Sequence, residues 1–345
     1  MQPVFDGHND ALTRQDHALI VTGRPAGHLD LPRMRAGGVR GAIFAMFAEG
    51  MGGHERRVPR DDGVIEFEYA APVDHVLAAA DTAAAAGRLL KLEREGHLRL
   101  ARVAADLDSA AADEGPPAAV LHIEGAEAID PDLESLELWY AAGLRSLGPV
   151  WSRTNAFASG VPFVSPASPD TGPGLTAAGR RLVSRCAELG ILVDVSHLNE
   201  AGFWDLARME PGPIVASHSA VHALCQASRN LTDAQLDAIG ATQGLVGIVF
   251  ATEFLRADFA EDPDTPAELI ASHARYVADR LGVENVGLGS DFDGATIPRA
   301  IGDVAGMPKV LDALRGAGFT EDEIQAIAWG NWRRVLGAWW RASLR

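Results

Sequence analysis

Short apolar runs rich in β-branched residues recur along the chain, each followed by a polar or glycine-rich turn and then by a helical pattern. This alternation is typical of βα units arranged around a parallel sheet. We predict strands near residues 3–5, 41–47, 118–123, 143–150, 191–195, 213–217, 244–250 and 285–289. Because eight parallel strands close a barrel, the pattern predicts an α/β fold, a (β/α)8 TIM-like barrel formed as a single domain by residues 1–345.

Helical periodicity fills most of the intervals between these strands. Thr176 and Thr232 precede two helical segments and are suited to cap a helix N-terminus, while Gly190 and Gly240 stand where helices often end. Helices are predicted near residues 67–95, 133–142, 176–189, 199–208, 233–240, 266–282 and 307–316. Two stretches with clustered Gly, Pro, Ser or charged residues are predicted as long loops over one face of the barrel, 49–64 and 152–174.

The composition indicates a globular protein. Of the 345 residues, 47% are hydrophobic and 22% are charged, so the chain has enough apolar material for a sizeable core. The formal net charge is −17 and the basic residues are scattered, which argues against a nucleic acid as partner.

The number of cysteines and the distribution of apolar residues indicate the cellular compartment of the protein. Cys186 and Cys225 are the two cysteines and form no CxxC motif, so they provide neither a disulfide framework nor a cysteine zinc site. No uninterrupted apolar stretch reaches the roughly 18 residues of a membrane span, and the first residues lack a leader pattern. We therefore expect a cytoplasmic protein without a membrane partner.

The first predicted strand ends in DGHND, where a histidine and an aspartate are two positions apart. On an extended backbone, His8 and Asp10 point to the same side and can share one cation such as zinc. The alternative is a turn in which Asn9 or Asp10 accepts backbone hydrogen bonds. Ligation is favoured by location, because the functional groups of such barrels collect at the carboxyl ends of the strands.

The same kind of ending recurs at four other predicted strands. Glu124 ends the third strand, His197 the fifth and His218 the sixth, while Asp291 and Asp293 follow the eighth. A random placement of histidines and acidic residues would not favour strand ends. The pattern therefore predicts a metal site at the C-terminal ends of the strands.

One carboxylate between two pairs of ligands can bridge two cations. With Glu124 as the bridge, His8 and Asp10 would hold one cation. His197 and His218 would hold the other. Two cations that share a hydroxide can attack and polarise a carbonyl group, so the implied reaction is hydrolysis.

Hydrolysis of an amide also needs an acid that protonates the departing amine. Asp291 is the candidate for this catalytic role because it lies beside the predicted cluster without being needed to complete it. The alternatives are a further metal ligand or a structural hydrogen-bond acceptor.

The remaining histidines have a weaker context. His122 shares a face with Glu124 by its period of two, and we expect it to pack next to the ligands. Histidines expected at the surface or in helix caps are His17, His28, His54, His75, His97 and His273.

With these residues in place, the chain resembles the renal or membrane dipeptidase family, metallopeptidases of the amidohydrolase-like barrel group. The resemblance covers nearly the whole chain and is carried, in order, by DGHND, HIEGAE, GLTAAGRRLVSRCAELGILVDVSH, ASHSAVHALCQASRNLTD and GSDFDG. It implies two zinc ions with Glu124 as the bridging ligand and Asp291 as the proton-handling acid. It also implies that Arg229, in SRN, binds the C-terminal carboxylate of the substrate.

Two substrate-binding candidates follow from this comparison. A guanidinium commonly binds a free carboxylate through two parallel hydrogen bonds, so Arg229 would explain a restriction to dipeptides. The alternative is that Arg229 forms a surface salt bridge. The family often has a pocket histidine after its fourth strand, where this chain reads GPVWSRTNAF and offers Trp151. Arg153 and Asn155 are the polar residues that could substitute for that histidine.

These observations predict a zinc-dependent dipeptidase that uses a metal-bridging hydroxide. The resemblance adds tolerance of a D-residue at the C-terminal position. The nearest alternative is a related binuclear amidohydrolase acting on N-acyl amino acids or lactones, which Trp151 would allow although Arg229 favours peptides. A non-catalytic binding barrel would require the whole cluster to be vestigial. The expected partner is a small-molecule dipeptide, and a homodimer is compatible with the sequence.

Overall fold

The computed structural model describes residues 2–48, 57–59, 63–67, 71–113 and 115–340. Almost every residue of its long parallel strands is buried, as expected for strands that are covered on both faces. These strands coincide with the eight that the sequence pattern predicts. They are β1 (Val4–Asn9), β2 (Val39–Phe47), β3 (Ala118–Glu124), β4 (Leu144–Gly148), β5 (Leu192–Val193), β6 (Val215–Ser219), β7 (Leu245–Ile248) and β8 (Val286–Leu288).

The strands follow one another in the order of a ring. One parallel sheet runs from β1 to β5 in sequence order, and a second runs from β6 to β8. Parallel bridges join the two sheets at both seams, between Asp194 and Val215 and between Asn9 and Phe292. The Val195 N–H donates to the Val215 carbonyl over 2.9 Å at the first seam. The ring is therefore closed, and the prediction of a (β/α)8 barrel is confirmed.

Helices fill the connections between the strands. Those that the pattern predicts are His75–Arg94, Glu134–Ala142, Ala177–Leu189, Glu200–Met209, Asp233–Ala241, Glu268–Leu281 and Met307–Gly316. Those that it does not predict are Leu31–Ala36, Ala104–Ala111, Thr252–Leu255, Glu321–Gln325 and Asn331–Trp340, the last preceded by a π-helical turn, Ala326–Gly330. Single 3-10 turns lie at His17–Leu19, Ala126–Ala128, Val283–Asn285 and Val304–Gly306. No helix in the described ranges combines the length and the apolar character that a bilayer crossing requires.

The helix boundaries agree with three of the four predicted caps. The side chains of Thr176 and Thr232 each accept a hydrogen bond from a backbone N–H three positions on, and Gly190 ends its helix in the left-handed conformation. Gly240 is the exception, because it lies inside the helix Asp233–Ala241. A Cβ at position 240 would lie 3.0 Å from the Leu281 side chain, so the glycine allows close helix packing rather than a helix end.

The two predicted loops contain short strands that the sequence pattern does not predict. An antiparallel sheet is formed by Arg57–Pro59 in the first loop, Val164–Ser165 in the second, and Ile65–Phe67, which follows the first loop and reaches the position where a helix was predicted to begin. The Phe67 N–H also donates to the Phe163 carbonyl over 2.9 Å, so the strand after the first loop is joined to the second loop. Residues 49–56 and 60–62 of the first loop lie outside the described residues. One further short strand, Arg99–Leu100, pairs with the start of β3.

The helix Asn331–Trp340 contacts both the first and the last strand of the barrel. Trp332 is fully buried, and its indole N–H donates to the Leu288 carbonyl of β8 over 2.9 Å. The same indole packs so closely on Gly7 of β1 that a Cβ at that position would overlap it. The first and last strands of the ring are therefore held by one side chain.

Candidate metal centre

Side chains from five strand ends meet at the carboxyl-terminal mouth of the barrel. β1, β3 and β6 each carry at least one of them, and the turns after β1, β5 and β8 carry the others. All are buried except the partly exposed Asp291. They are His8, Asp10, Glu124, His197, His218 and Asp291.

The carboxylate of Glu124 stands between two groups of side chains. Its Oε2 lies 3.4 Å from His8 Nε2, which in turn lies 3.7 Å from Asp10 Oδ2. Its Oε1 lies 3.0 Å from His197 Nε2 and 3.5 Å from His218 Nε2. The two Nε2 atoms of His197 and His218 are 3.0 Å apart. Each oxygen of one carboxylate thus faces a different set of ligand atoms.

The chemistry of this cluster fits divalent cations. His8 Nε2 is buried and makes no hydrogen bond to any residue in the described ranges. His197 Nε2 lies between the Arg229 guanidinium at 3.3 Å, which can only donate, and Glu124 Oε1 at 3.0 Å, which as a carboxylate oxygen can only accept. Lone pairs and carboxylate oxygens that converge in this way need a positive charge between them. Imidazole together with carboxylate is a donor set that suits zinc.

Burial and the neighbouring charges shift the pKa values of the side chains in the cluster. Burial disfavours the His8 imidazolium, but the carboxylates of Glu124, Asp10 and Asp291 outweigh burial and raise the pKa of His8 to about 10. Burial also opposes ionisation of Glu124, but His8 and His197 hold its pKa well below the ordinary value. Burial lowers the pKa of His197 to about 4. Without a cation, the proton on His8 balances the buried carboxylates while His197 stays neutral.

The side chains of the two aspartates in GSDFDG lie in different environments. Asp291 offers an oxygen within 4.8 Å of the ligand atoms of His8 and His218, and burial raises the pKa of this carboxyl group. Asp293, a candidate by its position in the sequence, forms a buried ion pair with Arg24 and lies outside the cluster. Both aspartates have left-handed backbone conformations, with φ of 60° and 72°, so the alternation of an extended strand does not apply to them.

Arg229 lies inside the site and not at the surface. The residue is 3% exposed, and its Nη2 donates to the His218 carbonyl over 2.8 Å. Its Nη1 donates to Ser219 Oγ over 2.7 Å, whereas its Nε makes no hydrogen bond within the described residues. Burial lowers the pKa of Arg229 to about 10, so the guanidinium remains charged at neutral pH. The alternative of a surface salt bridge is therefore wrong.

Trp151 belongs to an aromatic wall beside the histidine pair. Its ring is half-buried, and its centroid lies 5.8 Å from that of His197. Phe47 and Phe163 flank it with centroid distances of 5.1 Å and 5.7 Å. The wall continues from Phe163 to Phe254, which lies 5.2 Å further on. The structure thus offers an apolar surface next to the imidazoles.

The two polar candidates near Trp151 hold their own loop in place. Arg153 forms a buried ion pair with Glu127, with Nε 2.7 Å from Oε1, and donates to the Ala48 carbonyl. Asn155 donates to the Pro149 carbonyl over 2.8 Å, and its side-chain oxygen accepts from backbone N–H groups of the same loop.

Sequence reasoning missed the residues that contact the far side of the histidine rings. Ser152 Oγ lies 2.8 Å from His197 Nδ1, and Ser217 Oγ lies 2.8 Å from His218 Nδ1. The Asp194 carboxylate accepts a hydrogen bond from the Ser217 hydroxyl over 2.5 Å. The available signal was the small polar residue next to His218, since such neighbours often orient histidine ligands.

Two other histidines are fully buried. His122 lies near the cluster and contacts Ser146 Oγ through Nδ1 over 2.8 Å. His273, expected at the surface or in a cap, accepts a hydrogen bond from the Val221 N–H at Nδ1 over 3.0 Å. Its Nε2 lies 3.1 Å from the Leu255 carbonyl, to which it donates. The expectation for His273 is wrong, because its ring joins two backbone segments inside the core.

Known proteins match this chain over almost its whole length. A family model described as membrane dipeptidase (peptidase family M19) matches residues 1–343. Among curated proteins, an uncharacterized protein in the pqqA 5′ region of Klebsiella pneumoniae is 48% identical over 246 residues. That alignment covers 71% of this chain and 90% of the Klebsiella protein.

Two solved structures are similar over nearly their full length. The dipeptidase AC, a metallo peptidase of family M19, is 44% identical with a TM-score of 0.91, and the match covers 98% of both chains. A metallo peptidase from Rhodobacter sphaeroides, liganded with a phosphinate mimic of the dipeptide L-Ala-D-Ala, is 43% identical with a TM-score of 0.89. That match covers 97% of this chain and 99% of the other.

Proposed function

The chain belongs to the membrane dipeptidase family, peptidase family M19, and from this premise we propose a zinc-dependent dipeptidase with a two-ion centre. Membership makes the protein a metallo-dipeptidase, which hydrolyses dipeptides and depends on metal ions. The proposal adds the identity of the metal, the number of ions and the roles of the residues. The proposed ligands are His8, Asp10, Glu124, His197 and His218.

The position of Glu124 is the observation that carries the proposal. Its two oxygens face different groups, His8 and Asp10 on one side and His197 and His218 on the other. A carboxylate in this position suits a bridge between two cations, because each ion would then have one Glu124 oxygen and one or two histidines. Imidazole and carboxylate ligands support zinc as the metal.

Asp291 is proposed as the acid of the reaction. Two divalent cations would supply a water of lowered pKa and an electrophile for the scissile carbonyl. Asp291 is partly exposed at the edge of the cluster, and burial raises its pKa. A carboxyl group of raised pKa can hold a proton near neutral pH and give it to the departing amine. Glu124 would take part in catalysis as the carboxylate that holds both cations.

Arg229 and Trp151 are proposed to bind the substrate. The buried guanidinium of Arg229 lies beside His197 with its Nε still available, so a C-terminal carboxylate can be held next to the cluster. Trp151 offers the half-buried ring that a substrate side chain can pack against. Together these residues favour a short substrate with a free carboxyl terminus.

A D-residue at the C-terminal position of the dipeptide is part of the proposal. Its support is the Rhodobacter sphaeroides metallo peptidase, 43% identical to this chain, whose structure was solved with a phosphinate mimic of L-Ala-D-Ala. We expect L,D dipeptides to be hydrolysed along with L,L dipeptides.

The compartment and domain organisation are also proposed. Cys186 and Cys225 are buried free thiols, which is typical of proteins in a reducing compartment such as the cytoplasm. We propose a single barrel domain over residues 1–345. A homodimer stays a prediction.

The proposed function is tested with purified protein, metal analysis and a substrate panel. We expect two zinc ions per chain and hydrolysis of L,L and L,D dipeptides, which a chelator abolishes and added zinc restores. The panel also contains N-acyl amino acids and lactones. Hydrolysis of these compounds without hydrolysis of any dipeptide would contradict the substrate assignment.

A pair of glutamate variants tests the bridge. Glu124→Gln should lose at least one zinc ion together with activity, because a neutral amide offers one oxygen instead of two. The control is Glu93→Gln, which removes a surface ion pair with Arg102 and should retain both ions. A Glu124→Gln protein that holds two ions as tightly as the control would rule out the bridge.

A further inference from the structure

A buried carboxylate below the histidine pair is fully engaged by two serines. Asp194 lies directly after β5 and is 3% exposed. Its Oδ1 accepts from the Ser196 N–H over 3.1 Å, the Ser196 hydroxyl over 2.7 Å and the Ser217 N–H over 2.8 Å. Its Oδ2 accepts from the Ser217 hydroxyl over 2.5 Å. The Ser217 proton is therefore directed at Asp194.

The direction of that bond determines where His218 carries its proton. A serine hydroxyl has one proton and two lone pairs, and the Ser217 proton is already used by the acceptor-only carboxylate. Ser217 Oγ can then only accept from His218 Nδ1, 2.8 Å away, so the His218 proton is on Nδ1. The second lone pair of the hydroxyl faces His8 Nδ1 at 3.5 Å. His218 Nε2, which faces Glu124, is left with its lone pair.

We propose that Asp194 is a positioning residue for the metal centre: it orients the Ser217 hydroxyl, which holds His218 with its Nε2 lone pair toward Glu124. The same carboxylate also fixes the backbone of this ligand, because the Ser196 hydroxyl that it binds accepts from the His218 N–H over 3.1 Å. The inference rests on the proposed function, since it gives Asp194 this role only if the histidine pair binds a cation.

A direct ligand role for Asp194 is the alternative. Ligand atoms of Asp194, His8 and His122 do lie within 4.8 Å of one another. However, both oxygens of Asp194 already accept hydrogen bonds from serines, and His122 Nε2 is 3.9 Å away. A cation at that point would have to displace these bonds, whereas the role through Ser217 uses them as they are.

The variant Asp194→Asn reverses the chain of hydrogen bonds with almost no change of volume. Oδ1 accepts from two backbone N–H groups, which cannot become acceptors, so the amide oxygen must stay at that position. The amide NH2 then faces Ser217 Oγ and donates to it. The Ser217 proton is then free to turn to its nearest remaining acceptor, His218 Nδ1 at 2.8 Å, and the His218 proton moves to Nε2, where it opposes binding of the cation. Loss of such a supporting contact typically weakens metal affinity by about 10–100-fold.

A second substitution separates this effect from a structural one. Ser217→Ala removes the link and leaves His218 free to choose its tautomer, so it should weaken zinc binding less than Asp194→Asn. The double variant should bind zinc more tightly than Asp194→Asn alone, because the reversed hydroxyl is gone. A purely structural role predicts no recovery, since deleting a second contact cannot restore a position that the first substitution has disturbed. Ser146→Ala is the matched control, because it deletes the buried hydroxyl that contacts His122 and should leave affinity unchanged.

Zinc affinity is measured by titrating the metal-stripped full chain against a chromophoric chelator. The tautomer of His218 is read from histidine 15N spectra of the same protein, with His218 assigned by its substitution. Weaker zinc binding by Asp194→Asn, a proton on His218 Nε2 and recovery in the double variant support the inference. Wild-type affinity in Asp194→Asn, or a double variant that binds zinc no more tightly than Asp194→Asn, overturns it while the proposed function stands.

Two further outcomes are decisive. A wild-type chain that binds no zinc contradicts the proposed function, and the inference with it. If Asp194→Asn does not fold, Ser217→Ala is compared with Ser146→Ala: weaker zinc binding by Ser217→Ala supports the inference, and equal affinities overturn it.

Discussion

The guanidinium of Arg229 donates a hydrogen bond to the carbonyl oxygen of His218 across 2.8 Å. The arginine is thereby attached to the strand that carries one of the proposed metal ligands, and its charge faces the histidine pair. A carboxylate bound by Arg229 would lie beside that pair. This suits the C-terminal residue of a dipeptide better than an internal residue of a longer peptide.

Replacing Arg229 by Met should lower kcat/KM for dipeptides by about 100-fold, because hydrogen bonds to a charged group contribute roughly 1.5–3 kcal/mol. For dipeptide amides, which have no terminal carboxylate, the same substitution should lower kcat/KM much less. The ratio of the two rates separates carboxylate binding from any disturbance of His218. An equal loss on both substrates would refute the carboxylate role, and Arg185→Met on the surface serves as the control.

Asp291→Asn should lower kcat by about 10²–10⁴-fold, the usual contribution of a general acid, and should leave the zinc content near that of the wild type. The reason is that Asp291 lies at the edge of the cluster, where an amide cannot deliver a proton. The measurement combines kinetics with metal analysis of the same preparation. Loss of zinc from Asp291→Asn would make this residue a ligand and not the acid.

Zinc binding to the metal-free protein at pH 8 should release a proton from His8. The neighbouring carboxylates raise the pKa of His8 to about 10, so this imidazole is protonated at pH 8 and must lose its proton to bind an ion. His197, whose burial lowers its pKa to about 4, has none to lose. Calorimetric titrations in two buffers of different ionisation enthalpy give the number of protons. His8→Gln should remove this release and His197→Gln should not; equal release from both variants would contradict the assignment.

His273 should make the fold less stable in acid. Burial lowers its pKa from 6.5 to about 4, so the unfolded chain binds the proton first as the pH falls. The contribution of neutral His273 to the free energy of unfolding is complete above pH 6.5 and is lost as the pH decreases toward 4. At pH 4.5 this contribution has fallen by roughly 2–3 kcal/mol. His273→Gln removes this titration. The difference in unfolding free energy between the wild type and His273→Gln should therefore narrow by that amount between pH 7.5 and 4.5. A constant difference would disprove this origin, and His97→Gln is the control.

The barrel was predictable because its strands are buried on both faces and therefore appear as short apolar runs. The same runs located His8, Glu124 and His218, which lie in the last two residues of a strand or at its end, and His197, which follows its strand by four residues. Short helices such as Leu31–Ala36 span too few turns for a helical period to emerge, and the pattern did not predict them.

The parts of the site that could not be predicted depend on contacts between strands. Asp194 and Ser217 are 23 positions apart and meet only because β5 and β6 become neighbours at the seam of the ring. Asp291 was chosen from GSDFDG as the acid, but the left-handed turn that sends it to the cluster and Asp293 to Arg24 is a property of the folded chain. Arg229 was predicted to bind the C-terminal carboxylate of the substrate, but its burial against His218 is a property of the folded chain.

The seam between β1 and β8 has a consequence for synthesis on the ribosome. The Ser290 N–H donates to the Asp6 carboxylate, 284 positions earlier, and Trp332 then packs on Gly7. A nascent chain consequently carries β1 with one open edge until β8, Val286–Leu288, has been translated. Such an edge presents unpaired backbone groups that can pair with another chain, so β1 needs protection from aggregation until β8 is added.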